Sequence, residues 1–163
     1  MTQLAALLAA AVIVWLAEAT LLPSLPLPGA KFGFANVVTL VVIAGFGLSE
    51  STANVILRVL LGSLITGTLL SPAFALAVAA GTAAAVAMYA AYHAPRAGLS
   101  LIGVSVVGST VHTVVQLLLA ALLLGSWAVW VQAPVLLLVA VGTGCFNGLV
   151  AWQLVRRLGF GAE

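Results

Sequence analysis

Six apolar runs follow one another along the chain, over residues 4–22, 32–48, 52–70, 72–92, 99–124 and 129–155, with only short turns between them. A helix that crosses the hydrocarbon core of a bilayer needs ~20 mostly apolar residues. Its backbone amides must also be satisfied within the helix, because lipid offers them no partner. Runs of about this length, repeated so closely, predict an all-α integral membrane protein. The expected architecture is a six-transmembrane-helix bundle filling residues 1–163 as a single transmembrane domain. Charge points the same way: 5% of the residues are charged and 64% are hydrophobic, whereas a soluble domain carries about 25% charged residues.

The same numbers exclude several functions. A formal net charge of +2 is too small for nucleic-acid binding, and the single cysteine, Cys145, rules out an internal disulfide. No positively charged segment precedes the first run, so it reads as a helix and not as a secretion signal. With two histidines, one cysteine and no aspartate, no metal-ligand cluster, Ser-His-Asp arrangement or magnesium-diphosphate motif is expected. No cofactor and no enzymatic activity are expected either.

Orientation follows from the cations. Arg96 and the Arg156-Arg157 pair fall on one side of a six-span arrangement, which places both termini in the cytoplasm. Trp127 and Trp130 then mark the outer interface and Trp152 the inner one. Lys31 is left on the outer side, against the charge bias. It follows a proline-rich turn, Pro26-Leu27-Pro28-Gly29, and stands at the start of the second run, with Asn36 five residues deeper. A positive charge and an amide at the mouth of an apolar bundle predict a receiving site for a polar or anionic solute.

Other polar residues lie inside the runs. Glu18, near the end of the first, is either an interfacial carboxylate reaching water or a partner for Lys31. Arg58 is either a snorkelling cation paired with Glu50 or an inward-facing residue that meets a ligand or partner subunit. Ser105, Ser109, His112 and Gln116 recur at helical spacing on one face of the fifth run. That stripe must look inward, either to bond neighbouring helices or to line a cavity. Gly144 and Gly148 give the sixth run a close-packing face, with Asn147 beside it as packing contact or ligand contact.

The segment Pro28-Gly29-Ala30-Lys31-Phe32-Gly33-Phe34-Ala35-Asn36-Val37-Val38-Thr39-Leu40 resembles the signature of the bacterial Gx transporter family, also called heptaprenyl diphosphate synthase component I. Arg58-Val59-Leu60-Leu61-Gly62-Ser63-Leu64, Leu101-Ile102-Gly103-Val104-Ser105-Val106-Val107-Gly108 and the His112/Gln116 pair extend the resemblance over nearly the whole chain. The family is similar to the S components of energy-coupling factor transporters. The resemblance implies a six-helix subunit of the bacterial cytoplasmic membrane that captures a small solute from outside. It would dock on a coupling membrane protein driven by ATPases through small residues of the first helix, here Ala5, Ala6, Ala9 and Ala10. The solute expected is small and anionic or amphiphilic, an isoprenoid or quinone precursor being one example. Lys31, Asn36, Arg58, Ser109, His112, Gln116, Glu18 and Asn147 are its candidate contacts. The competing expectation is a non-catalytic membrane accessory of a prenyl-diphosphate or quinone biosynthesis enzyme.

Overall fold

A computed structural model describes residues 2–21, 33–94 and 98–160, which form helices and the turns between them. Six α-helices follow in order: α1 (Thr2–Leu21), α2 (Asn36–Phe46), α3 (Leu48–Ile65), α4 (Pro72–Tyr92), α5 (Leu101–Leu124) and α6 (Ala133–Leu158). A short 3₁₀ helix, Trp127–Gln132, leads into α6. Four stretches, α3, α4, α5 and Trp127–Leu158, are long and apolar enough to cross a membrane. Serine caps open three of them, Ser126 accepting from the Ala128 amide at 3.3 Å at the start of Trp127–Leu158. Ser71 accepts from the Phe74 amide at 3.2 Å, and Ser100 accepts from the Gly103 amide at 3.3 Å.

The second run departs from expectation. A helix over 32–48 was anticipated, but α2 has 11 residues, about 16 Å at 1.5 Å per residue, roughly half of a ~30 Å hydrocarbon core. Gly47 ends it. At φ 105° and ψ −167° it takes a conformation that side chains beyond glycine resist, and its amide returns to the Val42 carbonyl at 3.2 Å. The Ser51 amide then bonds the Gly47 carbonyl at 3.2 Å, so Ser49-Glu50-Ser51, anticipated as a turn, is the first turn of α3. Likewise α3 stops at Ile65, not at residue 70, and the anticipated helix 129–155 becomes the 3₁₀ helix plus α6, with Pro134 in the first turn of α6.

This half-length helix is the centre of the molecule. α1, α3, α4, α5 and α6 all pack against α2, and every residue from Asn36 to Ile43 is buried. A helix this apolar is satisfied by lipid or by protein, and here protein surrounds it. Val37, Leu40, Val41 and Ile43 form one core with Ala84 and Met88 of α4, Val104 of α5, and Ala151 and Val155 of α6.

Around α2 the longer helices close on glycine. A Cβ at Gly144 would lie 2.8 Å from the Val106 Cα, and one at Gly148 would lie 2.5 Å from the Ile102 Cα. The α5–α6 crossing therefore brings backbone against backbone. Met88 fills the space over Gly108, and Trp15 fills that over Gly62. Among the described residues, α1 packs only against α2 and α3. It is the peripheral helix, and Ala5, Ala6, Ala9 and Ala10 are all exposed on it.

Candidate functional site

The turn 33–35 enters α2 far from either end of the bundle. Arg58 lies ten residues into the 18-residue α3, about 15 Å along it. His112 lies about 16 Å along α5, and Asn147 about 21 Å along α6. These three levels coincide with the start of α2. Non-helical backbone at that depth survives only where protein satisfies its polar groups or where it lines a cavity.

Here three helices supply the partners. Glu18 of α1 accepts from the Gly33 amide through Oε1 at 2.6 Å. Asn147 of α6 donates through Nδ2 to the Gly33 carbonyl at 3.0 Å. Arg58 of α3 donates through Nη1 to the Ala35 carbonyl. Within the turn, the Asn36 amide bonds the Gly33 carbonyl at 2.9 Å, and Gly33 holds φ at 79°. Phe34 sets its ring edge-on to Phe146 of α6, with centroids 5.8 Å apart. The turn is thus gripped from several sides.

Two expectations are corrected by this arrangement. Arg58 does not snorkel towards Glu50. It is 3% exposed, and beyond Ala35 it donates to Thr39 Oγ1 at 3.1 Å and to Asn36 Oδ1 at 3.3 Å. The start of α2 offers it three acceptors at its own depth, which a route to water would forfeit. Nor does Glu18 reach water as an interfacial carboxylate: it is buried, because the turn brings a backbone amide down to it. Lys31 and Arg96 lie outside the described residues.

A cavity of about 20 Å³ sits against this turn, walled by Trp15, Glu18, Gly33, Asn36, Arg58, Ala77, His112 and Gln116 among others. That is room for about one water. Several polar atoms around it have no partner among the described residues: Asn36 Nδ2, Arg58 Nε and His112 Nδ1. Buried polar groups are satisfied in the great majority of cases, and the void has room for one water beside these three atoms. Two of them are donors, and they suit the oxygen atoms of an anion or a carbonyl.

The polar stripe of α5 divides. His112 and Gln116 line the cavity, while Ser109 and Ser105 lie one and two turns below it against the glycines of α6. Gly144 meets Ser109 Oγ and Gly148 meets the Ser105 Cβ, so these serines belong to the α5–α6 seam. Asn147 is fully buried next to them and acts through the turn it holds. Of the eight sequence candidates, Glu18, Asn36, Arg58, His112 and Gln116 are brought together around one space. Trp15 and Thr39 were not among them. Thr39 is three residues beyond Asn36 on the same face of α2, a spacing that was readable. Nothing in the sequence pairs Trp15 with Gly62. Among the described residues no group of His, Cys, Asp or Glu is placed to hold a metal.

No curated protein and no solved structure matches the chain. A family model does, that of heptaprenyl diphosphate synthase component I, over residues 7–154. The match takes in all the helices that build the buried turn and its cavity, and the chain belongs to that family.

Proposed function

We propose that the chain is a substrate-capturing membrane subunit, working like the S component of an energy-coupling factor transporter in the bacterial cytoplasmic membrane. Its solute is small and anionic or amphiphilic, in the range of an isoprenoid or quinone precursor. One observation carries this reading: a half-length helix begins midway through the bundle, beside unpartnered Asn36 Nδ2, Arg58 Nε and His112 Nδ1 around a single cavity. Interrupted helices whose ends meet at mid-membrane are the usual way for transporters to build a solute site.

The roles follow from the geometry. Asn36, His112 and Gln116 orient the solute, and the Arg58 charge supports it while its Nη atoms hold the turn. Glu18 and Asn147 fix that turn from the other side. Lys31, earlier on the same connection, draws the anion towards the mouth. A cavity of about 20 Å³ holds no such solute, so capture requires a wall to part. α1 is the wall with the fewest neighbours. The chain has no phosphate-binding loop of the Walker type, so energy comes from a coupling membrane protein with ATPase subunits. The exposed Ala5, Ala6, Ala9 and Ala10 give that partner a close approach.

The family's name favours a second reading, a non-catalytic membrane accessory of a prenyl-diphosphate synthase. Without an aspartate the chain has no means of holding a magnesium diphosphate in the manner of such a synthase. Affinity purification in mild detergent followed by native mass spectrometry separates the two. Capture predicts a co-purifying solute with coupling and ATPase subunits, and a prenyl-transferring enzyme in their place would refute it.

A further inference from the structure

The N-terminal halves of α1 and α3 enclose a space remote from the turn. Trp15 on Gly62 closes the seam between these helices at one end. At the other end Leu4, Ala5 and Leu8 face Glu50, Ala53, Asn54 and Leu57 across a crevice of about 250 Å³. The walls are aliphatic apart from two residues of α3. Asn54 is 3% exposed, and among the described residues neither its amide nitrogen nor its oxygen has a partner. Glu50 lies one turn earlier on the same face, in a half-buried position.

We propose that this crevice binds a neutral amphiphile, an apolar chain of roughly eight heavy atoms carrying a hydroxyl or carboxamide group. The size follows from about 250 Å³ at roughly 30 Å³ for each water-sized group. Aliphatic walls facing lipid accept any hydrocarbon, but a hydrocarbon leaves both ends of the Asn54 carboxamide unsatisfied. A group that donates and accepts at once answers both. The Glu50 carboxylate at the same wall disfavours an anionic head through like-charge repulsion in a weakly screened setting. This site stands apart from the proposed capture cavity and does not depend on it.

Photolabelling of the full chain in nanodiscs with a diazirine analogue of 1-octanol tests the proposal, with labelled residues read by mass spectrometry. Saturable labelling is expected at Leu4, Leu8 and Leu57. Octanol should compete at least tenfold better than octane or octanoate, about 1.4 kcal/mol. Asn54→Leu should reduce labelling about tenfold with the helical signal intact, and Glu50→Gln should let octanoate compete. Leu8→Trp, which fills the space without touching Asn54, should abolish labelling and guards against an Asn54 variant that fails to fold. Equal competition by octane would make the crevice a plain lipid groove and overturn the proposal. Stronger competition by octylamine than by octanol would overturn the neutral head, and label spread evenly over lipid-facing leucines would overturn the site.

Discussion

Replacing Arg58 with methionine removes a buried cation and three donated hydrogen bonds, and the size of the loss separates two views of the residue. The acceptors are the Ala35 carbonyl, Thr39 Oγ1 at 3.1 Å and Asn36 Oδ1 at 3.3 Å. The residues that carry them are 4%, 0% and 2% exposed, so water cannot replace the guanidinium. Neutral interhelical bonds in membranes average about 0.6 kcal/mol, which would give roughly 2 kcal/mol for three. Bonds from a charged donor are worth about 1.5–3 kcal/mol each, and breaking a buried charge network costs about 3–5 kcal/mol. Two of the three bonds are long, and removing the charge relieves its own desolvation, so the lower part of that last range applies.

Arg58→Met should therefore lose about 3 kcal/mol of folding free energy, a factor of more than about a hundred in the folded-to-unfolded ratio. Arg58→Lys keeps the charge but not the planar fork that reaches several acceptors together. It should fall between, at about 1.5 kcal/mol. Reversible unfolding in mixed micelles, followed by the fluorescence of Trp15 beside the cavity, reads both. A snorkelling arginine makes a different forecast: lysine would serve as well, and methionine would cost little. Stabilities of both variants within about 0.5 kcal/mol of the parent would refute the buried clamp.

Further outcomes can be measured on the same protein. Gly148→Ala, whose Cβ would meet the Ile102 Cα at 2.5 Å, should force α5 and α6 apart and lose about 1–3 kcal/mol; Gly142→Ala, with open space around it, should gain up to about 1 kcal/mol. His112→Leu and Gln116→Leu should leave helicity and elution unchanged while a co-purifying solute is lost in native mass spectra. Lys31→Gln should weaken retention of that solute about tenfold or more with unchanged thermal stability. With the exposed Cys145 replaced by alanine to remove background, a cysteine at Ser126 should react with an impermeant maleimide from outside the cell and one at Arg156 only after permeabilisation.

Much of the helical layout was legible because apolar runs and their breaks are local properties. Residues 72–92 and 99–124 were placed within two residues of α4 and α5. The half-length α2 was not. Val37 to Ile43 looks the same in sequence whether it faces lipid or is buried on every side, and only tertiary packing distinguishes these. Its end was placed within two residues, at 48 against Phe46, while its start was set four residues early, at 32 in place of Asn36. At the site, the cavity position of His112 and Gln116 followed from helical spacing, yet the same spacing carried Ser109 along with them. The bundle divides that stripe because α6 crosses α5 at Gly144 and Gly148, level with the serines. For Glu18 the missing information was the partner, a backbone amide fifteen positions later. Side-chain chemistry alone does not announce a carboxylate that serves main chain. The polar row Glu50, Asn54 and Arg58, four residues apart on α3, was not recognised in the sequence, although its spacing is regular, and it lies on a face that runs from the crevice to the cavity.

The charged groups of this bundle have a structural task that limits what remains for binding. A backbone turn midway along an apolar bundle brings amides and carbonyls to a depth where they need partners from the protein. Glu18, Arg58 and Asn147 answer it from three different helices. The atoms left over, Asn36 Nδ2, Arg58 Nε and His112 Nδ1, all border the same small cavity. On the capture reading proposed above, a solute there would complete a network whose other members already hold the turn, and its binding would depend on the geometry of the turn. Glu18 adds a direction to that dependence. It sits on α1, the helix with the fewest neighbours, and it holds the Gly33 amide. Any displacement of α1 from α3 that is wide enough to admit a solute must carry that bond along or break it. On the capture reading, opening of that wall would be felt at the turn that positions Asn36, through the 2.6 Å bond from the Gly33 amide to Glu18.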